Sequence, residues 1–407
     1  MSGLPLLLQT VTVLATPPKP KIFFLKSIAL FFSIIPFAFN QPTLSVVNVR
    51  KPVTDLFPVG FYTEGFTGLA RHKQVIDDLA RGGFNVMYLE GDVLTNTEYI
   101  NLLNYSNLKG IKNIIGLRPR GRNDAFVNQF KTYNSIIGWS IGDDAELLYT
   151  KAELTQNQTA TKAADVNHFT FSAPSPDLIT NVTKLKDFTS ITDVAAMQWY
   201  PIYNSSTNGN EIYFAMSKFD DMAALNRKPS WASLQTYKWG GTGNKFPSPD
   251  QITNMTYSSL NAGITGILYY TLRDYRATLP NQPENLSINN TQPKIWATAK
   301  RIAAEINGTN GLKDVLQKGK ITKLTGTDNV SNADVSVSYW TYSGFTYVIV
   351  TSMNESADSP VTITLPAKAT GKVTTMFSYP ATLTKSGNTL SGTVNAKSVQ
   401  IFKIKNS

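Results

Sequence analysis

Ile136-Ile137-Gly138-Trp139-Ser140-Ile141-Gly142-Asp143-Asp144-Ala145-Glu146 runs from an uncharged, isoleucine-rich stretch straight into three acids. Six apolar or small residues are too few for a helix and read as a strand buried on both faces, the kind that occurs in parallel sheets. The acids open a polar loop that passes into a helical stretch, so the segment is one strand-to-helix unit. Between Leu56 and about Asn307 that unit recurs eight times. The strand candidates are Pro58 to Tyr62, Asn85 to Leu89, Asn113 to Leu117, Ile136 to Ile141, His168 to Ser172, Asp193 to Tyr200, Ser230 to Tyr237 and Thr265 to Thr271. Helical stretches follow, such as Lys73 to Arg81, with Val75, Ile76 and Leu79 on one face, and Pro293 to Ile306, which has proline at its start and Asn307-Gly308 at its end. A doubly wound open sheet has the same local signature, but a count of eight favours closure into a (β/α)8 barrel.

After Gly311 the helical period stops. Short alternating runs take over at Val335 to Tyr339, Thr346 to Thr351, Val361 to Leu365, Lys372 to Tyr379 and Ser398 to Ile404, separated by turn signals such as Ser343-Gly344 and Ser386-Gly387-Asn388. This texture predicts a small antiparallel β-sandwich. The expected organisation is a leader over residues 1–40, a barrel over 50–310 and a sandwich over 318–407, with a glycine-rich boundary from Gly308 to Gly319 that few contacts cross. A chain of 407 residues and 44.8 kDa has room for both parts, and its 42% hydrophobic content with a mean hydropathy of −0.15 suits a folded protein.

Composition narrows the chemistry. The chain has no cysteine, which excludes disulfides, thiolate metal sites and cysteine nucleophiles. Its two histidines, His72 and His168, are too few for a poly-histidine metal site and argue against a Ser-His-Asp triad; His168 begins a strand and reads as structural. No cofactor or metal is expected, and catalysis falls to carboxylates, tyrosines, lysines or amides. The formal charge is +10, and the tail from Gly311 holds ten lysines and no arginine against five acids, a pattern that protects sheet edges or approaches anionic surfaces. Nothing in it resembles a nucleic-acid reader. Lys19, Lys21 and Lys26 precede the 13-residue apolar run Ser27 to Phe39, which matches the core of an export signal and is short for a membrane span. The expectation is a secreted monomer, with membrane attachment only if this leader stays uncleaved. About ten N-x-S/T sequons, among them Asn157, Asn181, Asn204, Asn254 and Asn354, are glycan acceptors in a suitable secretory host.

In such a barrel the active site gathers at the C-terminal strand ends. That rule selects Tyr62 and Glu64, Glu90 and Asp92, Arg118 within the Arg118-Pro119-Arg120-Gly121-Arg122 loop, Asp143, Asp144 and Glu146, Gln198, Trp199 and Tyr200, Gln235, Tyr237 and Trp239, and Tyr270, Arg273 and Asp274. Carboxylates and amides among aromatic rings suit sugars, whose hydroxyls need polar partners and whose C–H faces stack on Trp and Tyr.

The strand-four segment resembles the signature of glycoside hydrolase barrels, in which a Gly-Trp pair runs into an acidic tip of the Asp-Glu-Pro type that supplies the general acid/base. Here Asp143 and Asp144 stand at that tip, with aspartate in place of glutamate and Ala145 in place of proline. Met197-Gln198-Trp199-Tyr200-Pro201-Ile202 on strand six, Trp231 to Tyr237 on strand seven and Asn261-Ala262-Gly263-Ile264-Thr265-Gly266 before strand eight are similar to that group as well. The resemblance implies cleavage of glycosidic bonds in a poly- or oligosaccharide, with Asp144 as acid. Retaining members carry a nucleophilic glutamate at the end of strand seven, where this chain has Gln235 and no acid. The partner carboxylate must come from elsewhere, with Glu90 and Asp274 ranked first. Asp143 or Asp144 could instead cap the next helix, and a barrel without the strand-seven acid could be a non-catalytic carbohydrate-binding or structural surface protein.

Overall fold

A computed structural model describes residues 54–90, 94–117, 124–203, 209–240, 243–274, 286–324, 326 and 328–407. The leader, Asp92 and the Arg118 to Arg122 loop lie outside the described residues. Eight parallel strands close into a barrel in chain order. They are β1 (Val59–Tyr62), β2 (Val86–Glu90), β3 (Lys112–Gly116), β4 (Ile136–Asp143), β5 (Phe169–Ala173), β6 (Val194–Trp199), β7 (Ser230–Gln235) and β8 (Ile267–Tyr270). Pairing of Val59 with Ile267 and Phe61 with Tyr269 seals β1 to β8. Each expected strand is present. Strands six to eight stop short of Tyr200, Tyr237 and Thr271 because those residues give their carbonyls to rim side chains, Trp239, Gln235 and Thr236 respectively.

The connecting helices are α1 (Leu69–Arg81), α2 (Asn96–Lys109), α3 (Asp124–Phe130), the single-turn α4 (Ala145–Leu148), α5 (Lys151–Ala164), α6 (Val182–Ile191), α7 (Ile212–Leu225), α8 (Pro249–Asn261), the short α9 (Ile288–Thr291) and α10 (Pro293–Asn307). Three begin with reciprocal capping boxes, Thr95 with Glu98, Thr150 with Glu153 and Ser248 with Gln251. Each such cap satisfies backbone donors that the first turn leaves open and contributes about 1 kcal/mol.

Period two sorts the strand side chains. Tyr62, Val86, Tyr88, Ile114, Phe171, Trp231 and Leu268 fill the barrel interior, while Phe61, Met87, Leu89, Ile115, Trp139 and Tyr269 face the helices. Gly138 is required inside, since a Cβ there would stand 2.3 Å from the Phe169 ring. At the lower end Asp165 accepts from the Trp139 indole at 2.8 Å and pairs with His168 at 2.6 Å, so His168 is structural.

After α11 (Lys313–Lys318) come β9 (Lys320–Leu324), β10 (Val335–Tyr342), β11 (Phe345–Ser352), β12 (Ser359–Thr364), β13 (Val373–Thr375), β14 (Leu383–Ser386), β15 (Thr389–Val394) and β16 (Val399–Lys405). They form a five-stranded sheet in the order β13-β16-β11-β10-β9 and a three-stranded sheet in the order β12-β15-β14. Val337, Val348, Val350, Ile363, Leu390 and Phe402 pack between the sheets. The strand expected over Lys372 to Tyr379 shortens to β13, because Met376 turns its N–H to Ile401 and the chain enters a turn at Phe377, whose φ is 60°.

The expected weak boundary is overturned. The outer face of the five-stranded sheet joins the core of the barrel shell through Trp340, Tyr347, Ile349 and Ile401. Helix α8 lies beneath it, buried without a break from Gln251 to Asn261. Three of its polar side chains reach across the seam: Asn254 donates to Ser352 O at 2.6 Å, Ser258 to Thr351 at 3.1 Å and Asn261 to Ser336 O at 3.2 Å, while Ser338 donates to Asn261 O at 2.7 Å. Beside it Glu305 accepts from Tyr257, Tyr379 and Arg301. A buried polar seam of this kind must be paired group by group, and that pairing carries the contacts a simple linker would lack.

Candidate active site

β4 carries its chain to the rim with Asp143 as its last residue. Asp144 then takes a left-handed conformation, φ 46° and ψ 45°, at the head of α4, and its side chain makes no cap to that helix. The turn directs the carboxylate toward the mouth. The capping role considered for Asp143 does not hold either, since Asp143 belongs to β4 and not to the cap position. Gln198 on β6 joins the two acids: its amide nitrogen lies 3.2 Å from Asp143 Oδ1, 3.0 Å from Asp144 Oδ1 and 3.2 Å from Ala173 O. Both carboxylates are therefore within hydrogen-bond reach of one donor.

Tyrosines from across the mouth face this pair. Tyr62 of β1 is buried, stacks on Tyr88 with centroids 4.2 Å apart and meets Tyr270 edge-on at 5.4 Å. Its hydroxyl has no hydrogen-bond partner among the described residues. Burial raises the pKa of Tyr62 well above its ordinary value, and the charge of Asp143 raises it further. Burial does the same to Tyr200, reinforced by Tyr237, Asp143 and Asp144 against the hydrogen bond to Ser233. Tyr237 is pushed up by burial, by Tyr203 and by Asp144. These phenols are neutral donors at physiological pH. Tyr270 donates to Glu64 and stacks on Tyr200 at 5.3 Å.

Glu90 ends β2 and reaches over β3. A Cβ on Gly116 would lie 3.1 Å from Glu90 Oε2 and 3.0 Å from the Tyr88 hydroxyl, so the absence of a side chain at Gly116 admits both groups. Gly116 pairs with Ser140 of β4, and Tyr88 contacts the Ser140 hydroxyl at 3.3 Å, which sets Glu90 on the sector of the rim next to the acidic tip.

Two expected site residues, Glu146 and Gln235, have their side chains used otherwise, and a third, Asp274, is held by its backbone. Glu146 is buried, with its carboxylate accepting from Ser175 N at 3.0 and 3.2 Å and from the Ser175 hydroxyl, so it ties α4 to the strand-five loop. Asp274 is buried beyond β8, where its N–H donates to Leu286 O at 3.0 Å and Arg273 bridges Ser287. Gln235 is fully buried: its amide oxygen accepts from Ile202 N at 2.8 Å, and its amide nitrogen donates to Ile202 O at 2.7 Å and Tyr237 O at 3.1 Å. Trp199 packs in the outer shell, whereas Trp239 stays half-buried at the rim and stacks on Tyr203 at 4.9 Å. Sequence reasoning missed Tyr88 and Tyr203. Period two from Val86 could have turned Tyr88 inward. Tyr203 lies beyond the strand end and had no such signal.

No protein-family model matches the chain, and no curated protein matches it in sequence. Solved structures do match in fold. A structure described as a glycoside hydrolase superposes with a TM-score of 0.56 at 12% identity, covering 86% of this chain and 93% of its own. Amy13B of Eubacterium rectale gives 0.55 at 11%, covering 86% and 94%. The α-amylase of Geobacillus thermoleovorans, solved with acarbose, gives 0.50 at 10%, covering 89% and 97%. What the chain shares with these proteins is the closed (β/α)8 barrel followed by antiparallel sheets.

Proposed function

We propose that the chain is a glycoside hydrolase acting on a poly- or oligosaccharide through carboxylate acid/base chemistry. The convergence of Asp143 at the end of β4 and Asp144 just after it with Gln198 of β6, Tyr62 of β1, Tyr200 just after β6 and Tyr237 just after β7, across the mouth of one barrel, carries this reading. In it, protonated Asp144 gives its proton to the departing glycosidic oxygen as the C–O bond breaks. Asp143, held beside it by Gln198, faces the positive charge that develops on the sugar. Glu90, on the sector of the rim beside the acidic tip, serves as the second carboxylate, ahead of Asp274: it either bonds to the anomeric carbon, forming a glycosyl ester that water then cleaves, or takes a proton from the water that attacks that carbon. Neutral tyrosine hydroxyls supply donors to sugar oxygens, and the reaction needs no cofactor. The solved amylase bound to acarbose is in keeping with a carbohydrate ligand. The apolar leader fits export of a monomeric protein to where polysaccharide is met.

A screen of chromogenic glycosides and of plant, fungal and bacterial polysaccharides tests the proposal. On whichever substrate is cleaved, D144N and E90Q should each lower kcat by a factor of about 100 or more while binding persists. One observation favours a second reading, a carbohydrate-binding protein on a barrel without turnover: Gln235 fills the strand-seven position and is wholly committed to backbone. Glycan binding with no hydrolysis of any substrate would establish that alternative.

A further inference from the structure

A continuous path of rings leads outward from the acidic pair. Tyr200 lies 5.4 Å from Tyr237, Tyr237 lies 5.1 Å from Trp239, and Trp239 stacks on Tyr203 at 4.9 Å with their planes only 19° apart. Exposure rises along it, since Tyr200 and Tyr237 are buried, Trp239 is half-buried and Tyr203 is 44% exposed. The backbone beneath is fixed at three points. The Gln235 amide grips both sides of Ile202, the Trp239 indole donates to Tyr200 O at 3.3 Å, and Lys245 N donates to Tyr203 O at 3.0 Å. The strand-six and strand-seven loops are thus zipped together, and the outer pair of rings is held in place before any ligand arrives.

We propose that Tyr203, backed by Trp239, is the platform for a further sugar ring of the glycan whose reacting bond lies at Asp143 and Asp144. This rests on the carbohydrate reading above and adds to it that the substrate is a chain rather than a single sugar. A pyranose ring offers one apolar C–H face, which a flat, partly exposed aromatic accepts, while its hydroxyls stay in water or meet nearby polar groups. Asp177 is such a group, close enough that its charge, after burial, raises the Tyr203 pKa. Continuity with the mouth names the occupant: whatever leaves the Tyr200 and Tyr237 floor along this wall is the next unit of the same chain. A preformed stack of this size should contribute about tenfold in affinity for a chain long enough to reach it.

The test uses the full chain and cello-, xylo-, malto- and chito-oligosaccharides of two to six units, with binding read by quenching of tryptophan fluorescence and by calorimetry. The expected result is that affinity of the native protein steps up with length for one series. That step of about tenfold should vanish in Y203A and survive in Y203F, because the ring and not the hydroxyl does the stacking. Equal length dependence in native protein and Y203A would overturn the platform and leave the hydrolase reading standing. A uniform loss at every length would overturn it too, by placing the effect in the mouth. Failure of the native protein to bind any glycan would remove both.

Discussion

The side-chain amide of Gln235 and the peptide groups of Ile202 form a two-way pair, nitrogen to oxygen at 2.7 Å and oxygen to nitrogen at 2.8 Å. At pH 7 this takes an amide, which offers a donor and an acceptor side by side where an ionised carboxylate only accepts. A glutamate in its place would aim one carboxylate oxygen at the carbonyls of Ile202 and Tyr237. The residue that breaks the retaining-hydrolase pattern is therefore a clamp between the loops after β6 and β7. Q235E should be less stable than the native protein by about 2 to 4 kcal/mol at pH 7 and should gain no activity. The introduced acid would be favoured neutral in the fold, so its pKa would rise there. Its penalty is then absent below the unfolded glutamate value of about 4.3 and grows as pH rises above that. Denaturant melts at pH 4 and pH 7 should show the loss at the higher pH alone.

Tyr62 makes the opposite case, a buried hydroxyl that has no partner among the described residues. Such a group costs stability until a ligand meets it. Y62F should therefore raise stability by about 1 kcal/mol, visible as a higher Tm, and weaken glycan binding about tenfold. A fall in both quantities would mean that the hydroxyl supports the fold instead.

How far the sequence reveals this arrangement depends on the range of the interactions. Barrel strands are buried on both faces, so each reads as an apolar run, and their ends point to Asp143, Asp144, Gln198 and Tyr200 by a positional rule. What each rim residue is spent on is set by distant partners. Glu146 looks like one more rim acid until Ser175 takes its carboxylate, and Gln235 looks like a missing nucleophile until Ile202 takes its amide. Helix α8 is the largest surprise. Asn254, Ser258 and Asn261 are polar residues whose partners stand 75 to 98 residues away on β10 and β11. No local pattern in the chain encodes that pairing.

Asn254 gives that point an experimental edge. Its sequon is intact in the sequence, yet its side-chain nitrogen donates to Ser352 O at 2.6 Å and the residue is buried. A glycan on that nitrogen cannot be housed beneath the sheet. Folded protein secreted from a eukaryotic host should carry no sugar at Asn254 in peptide mapping, while exposed Asn181 is open to modification. N254D should cost about 2 to 3 kcal/mol, because a carboxylate would then face the Ser352 carbonyl without a donor.

Lys323 of β9 crosses the same seam to α7, with its ammonium 3.1 Å from Asp220, 3.0 Å from Asp221 and 3.4 Å from Ser217. Burial works against the charged lysine, but Asp220 and then Asp221 outweigh it and hold its pKa above the ordinary value. Asp220 is itself buried and accepts from Ser230 at the start of β7, so losing Lys323 removes a countercharge from a buried carboxylate. K323M should destabilise the protein by about 2 to 3 kcal/mol at pH 7. Because the folded pKa lies above the unfolded one, the stabilisation is fully present below the unfolded lysine value of about 10.4 and is lost as pH rises through the folded value. The gap between native protein and K323M should thus stay constant from pH 6 to 9 and close above pH 10.5. In a D220N background the same replacement should cost less than half as much, since the buried charge that demands the lysine is gone. An equal cost in both backgrounds would show that Lys323 acts through packing of its aliphatic stem and not through the ion pair.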